Sequence, residues 1–113
     1  MKHYVAEHWS YKPAWLALSQ EQRAAFLDGI RGAMQQLANA GVRNLGFGRL
    51  DPSVDRATKG FDFWALWEMD SIEARNVFFA GVAGSGWYDY FEHANTAGAL
   101  ESPEVVLGEH LRA

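Results

Sequence analysis

The stretch FDFWALWEM, residues 61–69, decides how the chain is to be read. Its length, and its aromatic and aliphatic run free of Gly and Pro, suit a β-strand. Alternation puts Phe61, Phe63, Ala65, Trp67 and Met69 on one face and Asp62, Trp64, Leu66 and Glu68 on the other. A strand with one wet face alternates apolar with polar. This one carries bulky apolar groups on both, so something must cover the second face, and one carboxylate, Glu68, lies in it.

Upstream, His3 to Tyr11 also alternates. His3, Val5, Glu7, Trp9 and Tyr11 share one face; Tyr4, Ala6, His8 and Ser10 share the other. Lys12-Pro13 ends this strand, because proline cannot donate to a ladder and restricts the residue before it. Residues 13–18 read as a turn or a single helical turn that packs Trp15 and Leu18. Ser19 and Gln22 form a capping-box pattern, and Phe26, Ile30, Ala33, Met34, Leu37 and Ala38 make one stripe of the helix that follows. Gly41 is its expected C′ residue. Gly29 and Gly32 inside that helix suggest the close approach of another backbone. Residues 42–50 read as a strand with Arg43, Leu45, Phe47 and Arg49 on one face. After 69, Asp70 or Ser71 caps a second helix, which Gly84-Ser85-Gly86 interrupts. A further helical piece is expected over 87–97, and a final strand over 105–111.

The order is β-α-β-β-α-β, within one domain over residues 1–113. It folds most simply as a ferredoxin-like α+β sandwich, a four-stranded antiparallel sheet. Right-handed crossovers put both helices on one face of the sheet. The other face, with Trp64 and Leu66, is then bare in a lone subunit and invites a second copy.

Five Trp, four Tyr and seven Phe are many for 113 residues, so some are expected to line a pocket or an interface. A net charge of −4 and the lack of any basic run argue against nucleic acid and anionic membrane as partners. The chain has no cysteine, which excludes disulfides, thiolate nucleophiles and cysteine metal sites. No signal-peptide pattern and no apolar run of membrane-spanning length occur, so the expectation is a soluble cytoplasmic protein.

The element order, the two apolar faces of 61–69, and the helix broken at Gly84-Ser85-Gly86 before Trp87-Tyr88-Asp89-Tyr90-Phe91 resemble the dimeric α+β barrel superfamily. The resemblance covers residues 3–111. It implies a homodimer with a small-molecule pocket between sheet and helices or inside the barrel. Members of that superfamily include cofactor-independent monooxygenases of aromatic substrates, polyketide cyclases, lactone isomerases, lyases and some haem proteins. The resemblance does not choose a reaction.

The residues offer their own candidates. Glu68 beside Trp64 and Leu66 should have a raised pKa, which suits a general acid or base; the competing reading pairs it with Arg43 or Arg49. His8 shares a face with Tyr4 and Ser10 and is a candidate partner of Glu68 if the two strands neighbour each other. If the opposite face of the first strand lines the pocket, Glu7, Trp9 and Tyr11 replace it. Trp87 to His93 is the densest aromatic cluster, where Tyr88 or Tyr90 can present a hydroxyl and His93 can carry a proton.

The catalytic expectation is therefore His8, Glu68 and Tyr88. Trp9, Trp64, Arg49, Tyr90 and His93 are expected to bind substrate. No cofactor and no metal are expected: haem on His93 lacks a second signature, and His8, Glu68 and His110 lack metal-ligand spacing. The glycine-rich stretches lack nucleotide-loop context. The leading function is acid–base catalysis on a small apolar, aromatic or carbonyl-bearing molecule. A non-catalytic small-molecule binder of the same fold and a purely structural dimer are the alternatives.

Overall fold

A computed structural model describes residues 1–113. Strand β1 spans His3–Tyr11, and α1 is the single turn Pro13–Leu16 that buries Trp15. Helix α2 runs Gln20–Asn39 and starts with the full capping box: Gln22 N donates to Ser19 Oγ at 3.1 Å, and Ser19 N donates to Gln22 Oε1 at 2.9 Å. Gly41 follows with φ +84°, the left-handed conformation that stops a helix and that glycine adopts without strain. Gly29 and Gly32 look onto open space, so the backbone approach expected there is absent.

Strands β2 (Val42–Arg49) and β3 (Phe63–Met69), helix α3 (Ile72–Gly84) and the single turn α4 (Trp87–Tyr90) follow. The chain then departs from the sequence reading. Residues Phe91–Ala99 form β4, and Pro103–Leu111 is a helix, α5. The helical piece expected over 87–97 stops at Tyr90 because the next residues pair with the free edge of β1, from Tyr11 opposite Phe91 to His3 opposite Ala99. The strand expected over 105–111 is helical because Ser102 caps it, accepting from Val105 N, with Pro103 in the first helical turn.

The sheet has the order β2-β3-β1-β4, antiparallel throughout. This is the ferredoxin-like arrangement. Its covered face carries Val5, Trp9, Ala65, Trp67 and Met69, which form the core with Ala74 and Phe78 of α3. The partly buried stripe of α2, Phe26, Ile30, Met34 and Leu37, packs on the same cluster. Burial of side chains of this size stabilises by about 1.5–3 kcal/mol each.

The opposite face stays open. Leu45 is 56 % exposed and Leu66 37 % exposed. A bulge between Asn44 and Gly46 shifts the alternation of β2. Gly46 has φ +149°, which favours glycine. Arg43 pairs with Glu68 on the open side, whereas Phe47 pairs with Ala65 on the covered side, so the single face expected for both is split.

Candidate functional site

Between the covered sheet face and helices α2 and α3 lies a cavity of about 340 Å³. Ile30, Met34 and Leu37 reach it from α2, Phe78 and Val82 from α3, and Glu7 and Trp67 from the sheet. At ~30 Å³ per water it has room for roughly ten water-sized groups. Ten of its fourteen lining residues are hydrophobic, and none is Lys, Arg or His. An apolar cleft with a few placed polar groups is the usual form of a small-molecule site.

The alternation of β1 delivers a carboxylate to this cleft. Val5, Glu7 and Trp9 all point to the covered side, and Glu7 is the one buried charged residue of the chain, 6 % exposed. Trp67 Nε1 donates to Glu7 Oε1 at 2.5 Å. Oε2 accepts no hydrogen bond within the chain; the nearest basic atom, His93 Nε2, is 3.4 Å away. Burial disfavours the charged form and pushes the Glu7 carboxyl from the usual 4.5 up to about 7, against the smaller opposing effect of the Trp67 bond. A carboxyl poised there changes hands with a proton at neutral pH, as a general acid or base must.

His93 sits beside Trp9 in the ladder and its side chain is almost fully buried. Trp87 Nε1, which can only donate, reaches His93 Nδ1 at 3.0 Å. Nδ1 is therefore the acceptor, the neutral ring carries its proton on Nε2, and Nε2 meets Asn95 Oδ1 at 2.7 Å. Burial holds the His93 pKa below its ordinary value. The ring is fixed in orientation and tautomer next to the free oxygen of Glu7. Tyr88 packs edge-on against it, centroids 5.2 Å apart.

The residues expected to act together are separated. His8 and Glu68 share the open face, but the register sets Tyr4 opposite Glu68 and Trp64 opposite His8. Four residues at ~3.3 Å each put them roughly 13 Å apart, out of hydrogen-bond reach. Tyr88 belongs to the covered side. The raised pKa expected for Glu68 is reversed: Arg43, then Lys2 and Tyr4, hydrogen-bond its carboxylate and hold it at about 2. Arg43 also binds Asp70 at 2.8 Å.

Trp9 is core, edge-on to Trp87 and Phe47. Tyr90 packs on Trp15 and Phe26. Trp64 lies on the open face against Gly48, in a shallow groove with Leu45 and Leu66. Arg49 is exposed at the end of β2 and does not reach the cavity. Of the eight residues put forward from sequence, only His93 stands next to Glu7, which sequence offered as the alternative face. Trp67 and Gln36 were missed as cavity residues; Trp67 shares its face with Ala65 and Met69, and nothing local marks it as a donor to a carboxylate.

Residues 2–113 match the family of unknown function DUF6616. The chain belongs to that family. No curated protein sequence matches it. Among solved structures, this DUF6616 chain is similar to a mutant chlorite dismutase from Candidatus Nitrospira defluvii, at 14% identity and a TM-score of 0.71, covering 98% of this chain and 46% of that one. The same enzyme in complex with imidazole gives 14% identity and a TM-score of 0.71, covering 95% and 43%. The chain thus spans less than half the length of those enzymes. A dimeric protein of unknown function and ferredoxin-like fold from Bacteroides fragilis NCTC 9343 gives 10% identity and a TM-score of 0.53, covering 88% and 96%. The likeness of these neighbours to the DUF6616 chain is one of fold.

A haem, which the superfamily resemblance allowed through His93, does not fit these residues. No histidine lines the cavity, and both ring nitrogens of His93 are engaged. No helix is long and apolar enough to cross a membrane, and no group of three or more His, Cys, Asp or Glu is placed to hold a metal ion.

The buried carboxyl has a consequence for stability. Below pH 4.5 Glu7 is protonated in both the folded and unfolded chain. Between about 4.5 and 7 only the folded chain keeps the proton, so its contribution to stability is lost as pH rises, by up to about 3 kcal/mol once both states are ionised. Glu7→Gln removes this dependence. In urea unfolding the variant should gain on the parent by up to about 3 kcal/mol from pH 5 to pH 8; an unchanged difference between the two pH values would contradict the assignment.

Proposed function

We propose that this DUF6616 protein is a small acid–base enzyme of the monooxygenase, cyclase, isomerase or lyase type. It works without a bound cofactor on a small apolar, aromatic or carbonyl-bearing molecule. The observation that carries this reading is Glu7: a carboxyl with a pKa near neutrality at the edge of an apolar cavity, with one oxygen free. Glu7 takes or returns a proton, Trp67 holds its other oxygen, and His93 fixes the polar wall beside it. The apolar surroundings of the buried Glu7 carboxyl bring its proton equilibrium close to the pH at which such a step runs. The non-catalytic alternative gains from Glu68, whose carboxylate is fully engaged by Arg43, Lys2 and Tyr4; it is weakened by the free oxygen of Glu7.

The test uses Trp67 and Trp87, which line the cavity and report occupancy by fluorescence quenching. A panel of neutral aromatic and carbonyl compounds is screened for binding and turnover. Glu7→Gln should keep binding and lose turnover by 10²-fold or more. Turnover that survives in the variant sinks the assignment; binding without turnover in the parent favours the non-catalytic reading.

The open sheet face is proposed to meet a second copy. Leu45 and Leu66 with Trp64 give it an apolar centre, and burying each such side chain is worth about 1.5–3 kcal/mol. Sedimentation should give a dimer for the parent and a folded monomer for Leu66→Glu. A parent that sediments as one chain at tens of micromolar rejects the homodimer.

A further inference from the structure

Helix α5 is capped and regular, yet it buries nothing. Ser102 accepts from Val105 N at its start, and no residue of the helix is buried. At 100° a residue, Val106, Leu107 and Leu111 fall in one arc of roughly 140°. All three are exposed, Leu111 at 88 %, and so is Leu100 just before the helix. An apolar stripe on a helix is normally turned to a core.

The chain is also larger than its length requires. Its radius of gyration is 16.3 Å, against about 13 Å for a compact domain of 113 residues. Its accessible surface is 7717 Å², against about 6,200 Å² for a folded monomer of 12.6 kDa. The excess, about 1,500 Å², is nearly twice the ~800 Å² that each partner gives to a standard interface. Two uncovered apolar surfaces contribute to it. One is α5. The other is the groove on the open sheet face, where Gly46 and Gly48 leave a trough beside Leu45, Trp64 and Leu66. They do not meet in one chain: α5 leaves from β4 at one edge of the sheet, and the groove lies on β2 and β3 at the other.

We propose that α5 is an arm exchanged between two copies of this chain, its stripe of Val106, Leu107 and Leu111 lying in the β2–β3 groove of the facing copy. This rests on the open sheet face meeting a second copy and adds the segment that seals it. Stacked sheets lie ~10 Å apart with their strands nearly aligned. A two-fold axis between them can do this in two ways. With the axis across the strands, β4 lies over β4 and both apolar surfaces stay uncovered. With the axis along the strands, β4 of one copy lies over β2 of the other, and matching strand ends stay together. The arm leaves β4 after Ala99, at the end of the sheet where His3, Met69 and Val42 line up, and Leu45 stands near that end of β2. From Ala99 the arm reaches roughly 25 Å, enough to cross the gap and lie along the groove.

The chain has no cysteine, so introduced ones report without background. Leu45→Cys and Leu111→Cys chains are refolded together from urea and treated with a short bismaleimide. Cross-links should form several-fold faster in the mixture than in either variant alone. In sedimentation, the double variant Leu107→Glu, Leu111→Glu should dimerise at least 100-fold more weakly than the parent, because each lost contact counts twice in a two-fold dimer. Both side chains are exposed in their own chain, so circular dichroism should show the fold intact. A double variant that dimerises as tightly as a dimeric parent, or cross-linking no faster in the mixture, overturns the exchanged arm and leaves the sheet-face dimer standing. A parent that sediments as one chain overturns that dimer and the arm with it, so the two failures are told apart.

Discussion

A carboxyl held against an indole under a layer of helices is the constraint on which the rest of this structure turns. Glu7 reaches the covered side of the sheet, where Trp67 donates to one of its oxygens and no cation compensates its charge. An ionised carboxylate in such surroundings is costly, and the protein meets that cost by shifting the proton equilibrium, not by pairing the charge. Glu68 shows the opposite solution on the other side of the same sheet. There Arg43, Lys2 and Tyr4 supply donors, and the carboxylate stays ionised. Two glutamates on adjacent strands thus have pKa values pushed apart by environment alone.

What separates them is strand parity. Residues Val5, Glu7 and Trp9 of β1 stand beside Ala97, Asn95 and His93 of β4, and beside Trp67, Ala65 and Phe63 of β3. A shift of one residue in any of these pairings would exchange the covered and open faces. It would bring His8 under the helices and leave Glu7 on the open side. The register is held by the size of what it buries: Val5, Trp67 and Met69 are almost inaccessible to solvent, and their exchange for Tyr4, Leu66 and Glu68 would put a charge and a phenol in the core. Packing that stabilises the fold therefore also fixes which carboxyl faces the cavity.

Much of the architecture was legible in the sequence. The stretch 61–69 announced a strand apolar on both faces, Ser19 and Gln22 marked the start of α2, and Gly41 marked its end. Those signals are local and have a local mechanism. The position of the last strand was not legible. Residues 87–97 carry aromatic groups at helical spacing, and their conversion to an edge strand after Tyr90 depends on the empty edge of β1, a partner 80 to 96 residues upstream. Val105 and Val106 looked like strand residues until the Ser102-Pro103 start imposed a helix whose apolar side chains remain exposed. For the site, the sequence put His8 forward and kept Glu7 as the alternative on the opposite face, and only the covering helices decide for Glu7. The contact of Trp67 with Glu7 is made across the fold and leaves no trace in spacing.

The central claim is that Glu7 holds its proton to neutral pH because it is buried beside the cavity. The most direct measurement is an NMR titration of the Glu7 side-chain carbonyl in selectively ¹³C-labelled protein, assigned by comparison with Glu7→Gln. A midpoint at about 7 is the expected result. A midpoint near 4.5, that of a solvated glutamate, would contradict the account.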